Sequence, residues 1–216
     1  MRLPTRGELE PARIGWIKQA GPTKADLSLV DVGDGPLVVK DFGGKAAWVR
    51  WIGRIQIARE CRAYRWAGAI AGLPKLIGRI DAHALALEKI DAEELVFMKD
   101  RKVDGALKHA RLTEIVRNMH RAGLYHLDLR GIDNVMLGPG GRIFVIDLGG
   151  AICLKPAGWL QRRFGDWFAM ADRAALLKWK IILDAGDFTE EERAFERRHR
   201  FWRSLWIFNR KQRRSD

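Results

Sequence analysis

The chain has 216 residues, with 39 Lys and Arg against 27 Asp and Glu, a formal net charge of +12 and a pI near 10.1. That length fits one domain or two small lobes sharing a cleft. The positive excess points to phosphate-bearing partners (nucleotides, nucleic acid, anionic lipid or phosphorylated glycans).

Several classes are excluded from the start. No stretch approaches the roughly 18 apolar residues that span a bilayer. The opening MRLPTRGELEPARIGW has no apolar run suited to a signal peptide. Cys61 and Cys153 lie far apart and in no Cys/His cluster, so neither a disulfide nor a zinc site is expected. The expected location is a reducing cytoplasm, with contact to a membrane from that side. Nine tryptophans are unusual for this length, and tryptophan favours places where apolar surface meets water.

In chain order, residues 26–32 alternate as a half-buried strand, the turn Gly33-Asp34-Gly35-Pro36 follows, and residues 37–42 make the return strand. Residues 46–71 carry a helical pattern whose inward face is ambiguous: Trp51, Ile55 and Ala58 trace one side, Ile52, Ile57 and Tyr64 others. Residues 76–81 and 84–90 form a second strand pair. A helix over 106–122 places Leu112, Ile115, Val116 and Met119 on one face. The glycine turn at 138–141 joins two short apolar runs into another hairpin ending at Asp147. Helices are expected over 158–183 and again after Thr189-Glu190-Glu191-Glu192, a capping box. The class is α+β, divided at about residue 92 into a strand-rich part (1–92) and a helical part (93–216).

His126, Asp128, Arg130 and Asn134 cluster at the mouth of the second hairpin, which folds Asn134 back towards Asp147. Two oxygen ligands converging at a strand end suit a Mg²⁺ ion shared with nucleotide phosphates. Asp128 can orient an attacking hydroxyl, and Arg130 can offset charge on the group transferred.

These residues resemble the protein-kinase-like superfamily. HLDLRGIDNVML is similar to the catalytic loop H-R-D-x-x-x-x-N, and IDLGG to the D-F-G metal-binding segment. LVVKDF resembles V-A-I-K. The resemblance implies a bilobal fold binding ATP and Mg²⁺ (or Mn²⁺), with Lys40 on the α/β-phosphates and Glu60 as its ion-pair partner. Asn134 and Asp147 become the metal ligands and His126 a structural residue. The family spacing falls on Asp133 and the apolar VML that follows favours Asn134, so both stand as candidates. Leu127 replaces an Arg that many protein kinases use in regulation, no GxGxxG precedes Lys40, and only Gly21 stands where that loop belongs.

So short a helical part is similar to the compact bacterial lipopolysaccharide-core kinases, which phosphorylate Kdo or heptose sugars, and DRAALLKWK at 172–180 adds to that likeness. Asp172 and Asp166 compete as the anchor of the loop. The implied activity is phosphoryl transfer to a membrane-associated sugar or lipid hydroxyl. The alternatives are an atypical serine/threonine kinase and a pseudokinase binding module. Residues 193–214 hold nine Lys and Arg against one Glu among aromatics. This segment either packs its aromatics on the helical part or lies on anionic lipid. RNA binding has no motif in its favour.

Overall fold

The structure, a computed structural model, describes residues 1–95 and 104–205, with side chains up to residue 198. It is an α+β molecule. A five-stranded antiparallel sheet has the order β1-β2-β3-β5-β4, from β1 (Arg13–Lys18), β2 (Asp26–Asp31), β3 (Pro36–Asp41), β4 (Leu76–Arg79) and β5 (Ala84–Glu88). The first expected hairpin is present, with Asp26 opposite Asp41 and Asp31 opposite Pro36. Gly33 and Gly35 take φ of 101° and 99°, which only glycine adopts freely, and the Asp31 carboxylate accepts from both of their N–H groups.

Alternation along β3 gives the sheet two apolar faces. Leu37 and Val39 pack with Leu9, Val30 and Ala86 under the N-terminal segment. Arg6 fastens that segment by paired hydrogen bonds to the Asp81 carboxylate and a further one to Asp41. Val38 and Lys40 occupy the alternate positions, on the side of α1 (Ala47–Ala67). The strand β1 and this cover were not expected from the sequence.

Helix α1 ends earlier than its apolar pattern, because Gly68 turns left-handed (φ 58°) and donates to the Tyr64 carbonyl. Its buried stripe is Val49, Gly53, Ile57, Glu60, Cys61 and Tyr64. Gly53 allows contact with the Phe42 ring, where a Cβ would come within 2.5 Å of Cγ. Helix α2 (Gly105–Arg121) buries the four residues expected. β7 (Leu124–Tyr125) then leads into the loop at 126–134. β8 (Val135–Leu137) and β9 (Ile143–Val145) form the second hairpin, with Val135 opposite Val145, and β6 (Glu93–Glu94) pairs with β8. β10 (Ile152–Cys153) returns to pair with β7.

Helix α3 (Trp159–Ile182) carries the fully buried Trp179. Helix α4 (Glu190–Leu205) opens on the capping box, in which Thr189 N donates to Glu192 and Glu192 N to the Thr189 hydroxyl. Lys180 Nζ reaches the Glu192 carboxylate at 2.7 Å, tying α4 to α3. Side chains from 199 onward, and with them most of the basic tail read at 193–214, lie outside the described residues. Among the described residues, no helix is long and apolar enough to cross a membrane.

Candidate active site

Lys40 points from β3 towards α1 and meets two carboxylates. Its Nζ lies 2.8 Å from Glu60 Oε2 and 3.0 Å from Asp147 Oδ1. The Glu60 side chain is 1% exposed and that of Lys40 16%, so those two interact with little screening by water, whereas Asp147, at 49%, faces solvent on one side. Burial pushes the Glu60 carboxyl above its ordinary range despite the opposing Lys40 charge. For Lys40 burial acts to lower the pKa, but the charges of Glu60 and Asp147 outweigh it and hold the ammonium charged. For Asp147 burial acts to raise the pKa, yet Lys40 and the Gly149 N–H bring it below the ordinary value. Tyr64, one turn beyond Glu60, is buried beside this group, and α1 packs on the turn at 148–150.

Asp147 leaves strand geometry altogether. Its φ of 61° is left-handed, which is why β9 stops at Val145 rather than running on to 147. Leu127 is likewise left-handed at 65°. Such a residue costs about 1–3 kcal/mol and persists only where its surroundings fix it.

The fixing of loop 126–134 comes from α3. Asp172, fully buried, accepts from His126 N at 2.9 Å and Leu127 N at 2.8 Å, and lies 2.9 Å from His120 Nε2. Two turns further along α3, Trp179 Nε1 donates to the Leu129 carbonyl at 2.9 Å and Lys178 Nζ to the Arg130 carbonyl at 2.7 Å. The competition between Asp172 and Asp166 is thereby resolved: the Asp166 side chain is 98% exposed. His126 joins the loop to the hairpin, since its Nδ1 accepts from Asp128 N and its Nε2 reaches the Ile146 carbonyl.

Asn134 is buried and donates through Nδ2 to the Asp128 carbonyl (2.8 Å) and, more weakly, to the Asp128 carboxylate (3.4 Å). Its backbone carbonyl accepts from Ile146 N, which sets it beside the residue preceding Asp147. Asp133 is exposed. Of the two candidates, only Asn134 is therefore tied to Asp128. Arg130 is exposed at the same mouth. Asn134 Nδ2 is used in holding Asp128, and no hydrogen bond occupies Oδ1 among the described residues. On Asp147, Lys40 and Gly149 both bind Oδ1, leaving Oδ2. An amide oxygen and a carboxylate oxygen of this kind fit a hard cation that takes its other ligands from phosphate and water. They do not make a self-sufficient cage: the described residues contain no cluster of three or more His, Cys, Asp or Glu suited to a metal.

The six residues singled out from the sequence thus fall into two touching groups, Lys40–Glu60–Asp147 and Asp128–Asn134 with Arg130 beside them. Sequence reasoning missed Lys178 and Trp179 as supports of the loop, although both stand in the segment 172–180 that it had noticed. A separate groove of about 550 Å³ opens between α2 and α3, lined by Arg117, Arg121, Tyr125 and Arg162 among others. None of the six residues lines it. Comparison with known proteins leaves the geometry to stand alone: no family model matches the chain, and no curated protein matches it.

Proposed function

We propose that the chain is an ATP-dependent phosphotransferase with a bilobal, protein-kinase-like fold, acting on a hydroxyl of a membrane-associated sugar or lipid. The observation that carries this is Lys40 Nζ held between Glu60 and Asp147, at 2.8 and 3.0 Å, beside an Asp128–Asn134 pair. A buried carboxylate whose main contact is a lysine charge is costly to maintain as structure alone. As part of a phosphate site it has a purpose, because it aims the ammonium group.

In this reading residues up to about 92 form one lobe and the remainder the other. Lys40 holds the α- and β-phosphates, and Glu60 fixes its direction. Asn134 and Asp147 would hold Mg²⁺, which supplies charge neutralisation at the β- and γ-phosphates when bound. Asp128 orients the acceptor hydroxyl and takes its proton as the new oxygen–phosphorus bond forms. The bond to the leaving oxygen of ADP breaks in the same displacement. Arg130 offsets charge on the transferred group. The loop between β1 and β2 lacks the usual glycines. It is braced instead by Lys45 Nζ, which reaches both Asp26 and the Ala20 carbonyl.

Incubating the purified protein with labelled ATP and Mg²⁺, alongside lipopolysaccharide, total membrane lipid and protein fractions, tests this. Label is expected in one of the first two. Label confined to protein moves the acceptor to a serine or threonine hydroxyl. No label in any fraction, with no nucleotide binding, overturns the proposal.

A further inference from the structure

Helix α1 carries a surface that neither the core nor the candidate site uses. Trp48, Trp51, Ile52 and Ile55 have the i, i+3, i+4, i+7 spacing of one helical face, and that face is turned away from the buried stripe of Val49, Gly53, Ile57 and Glu60. Their exposures are 59%, 65%, 40% and 49%. Helix α3 repeats the pattern at its start. Trp159, Leu160, Phe164 and Trp167 are exposed, whereas Gly165, Ala169 and Asp172, on the other side of the helix, are buried.

The two helices are linked through β10. α1 packs on β10, and α3 begins six residues after Cys153 at the end of that strand. Arg62 and Arg59, which continue the α1 stripe, act on the Cys153 thiol against the effect of its burial.

Charge separates this surface from an ordinary apolar contact. No acidic residue occurs between Asp41 and Glu60, a stretch that contains Arg50, Arg54 and Arg59. None occurs between Asp147 and Asp166, where Lys155, Arg162 and Arg163 lie. Large exposed apolar side chains grouped on one helix face mark an interaction site more often than a free surface. The border is basic along α1, and on α3 it is basic up to the exposed Asp166, so it suits a partner with repeated negative charge, which a sheet of lipid phosphates presents. Indole rings rest at the boundary between headgroups and hydrocarbon, while arginine stems reach back to the phosphates.

We propose that the outer face of α1 and the first turns of α3 form a docking surface for an anionic bilayer. This goes beyond the phosphotransfer reading and stands or falls without nucleotide. It also differs from the basic C-terminal segment in its position along the sequence and in composition.

The test uses the full-length protein with phosphatidylcholine vesicles, with and without phosphatidylglycerol. Binding is read by sedimentation and by tryptophan emission. The protein is expected to sediment with the anionic vesicles, shift its emission to the blue, and release as salt rises. Trp51→Ser combined with Trp167→Ser should lower the partition coefficient by about tenfold or more, because both indoles leave the boundary layer. Circular dichroism of the double variant should match the parent. An independent charge variant, Arg54→Glu with Arg163→Glu, should weaken binding to anionic vesicles alone. Binding unchanged in both variants overturns the proposal and transfers the contact to the tail. A concentration-dependent dimer abolished by the double variant, with no vesicle binding, overturns it in favour of a second copy of the chain.

Discussion

The loop at 126–134 and the outer face of α1 depart from the usual division of side chains between core and water in opposite senses. Around the loop, polar groups are taken out of water: Asp172 and His126 are fully buried and Asn134 nearly so, and each is hydrogen-bonded. On α1, large apolar groups are left in water, with Trp51 65% exposed. The first departure is compensated inside the molecule, by hydrogen bonds that also fix a left-handed Leu127. Among the described residues the second has no such hydrogen-bonded compensation, and a partner is what we propose for it. A protein departs from its folding rules where something other than folding is being served, and in the readings we propose the two surfaces divide that service between chemistry and placement.

The largest effects should come from the loop and its partner Asp147. Asp128→Ala and Asp147→Ala should each lower phosphoryl transfer by at least ~10²-fold with the fold intact, since both groups act mainly in the transition state. Near-parental turnover at saturating acceptor in either variant would remove them from the mechanism. Asn134→Ala should raise the Mg²⁺ requirement far more than Asp133→Ala, and the reverse ranking would break the assignment.

Next in size is the support of the loop. Asp172→Ala strands two backbone N–H groups in the interior, each costing roughly 1–3 kcal/mol. A loss of about 3 kcal/mol is expected in urea denaturation. Trp51→Ser, by contrast, should move stability by less than about 0.5 kcal/mol, because it removes surface that is already wet. Equal losses in the two variants would dissolve the contrast between the surfaces.

The smallest effect is a pH dependence. The Asp147 carboxyl is held below its ordinary value of 3.8, so its contribution to stability is present above that value and fades as pH falls through the lowered one. Glu60, raised above 4.5, has the opposite sign: its contribution is present below that value and is lost as pH rises through the raised one. The stability gap between the parent and Asp147→Ala should therefore narrow on acidification below about pH 4. A gap that stays constant down to pH 2.5 would show that Lys40 does not depend on that carboxylate in solution.

Much of this architecture was legible in the sequence. Glycine turns at 33–35 and 138–141 announced both hairpins, and α2 declared its buried face because that face is purely apolar. The inward side of α1 was not legible. Apolar spacing favours Trp48, Trp51, Ile52 and Ile55, whereas the side that is buried contains a glycine and a glutamate. Periodicity reads an exposed apolar stripe and a core-facing stripe alike. The N-terminal cover went unread although Thr5 and Glu8 stand at capping-box spacing and Glu8 accepts from Thr5 N. What hid it was that its strand β1 keeps Ile14, Trp16 and Ile17 exposed, without the alternation that marks a half-buried strand. At the candidate site, chain order brought out Lys40, Glu60, Asp128 and Asp147. The apolar VML already favoured Asn134 over Asp133, but choosing Asp172 over Asp166 needed burial, a property of the folded chain that neighbouring letters do not carry.

The dependence of the loop on α3 also sets an order in time. Leu127 N finds its acceptor 45 residues later in the chain, on Asp172. A ribosome adding about 5–20 residues per second takes roughly 2–9 s to cover that interval. Through those seconds the nascent chain can already pair its five-stranded sheet and join Lys40 to Glu60, yet the loop bearing Asp128 has nothing to hold its left-handed turn. The candidate site is completed from its far end, so a chain interrupted before α3 carries the site's residues without their geometry.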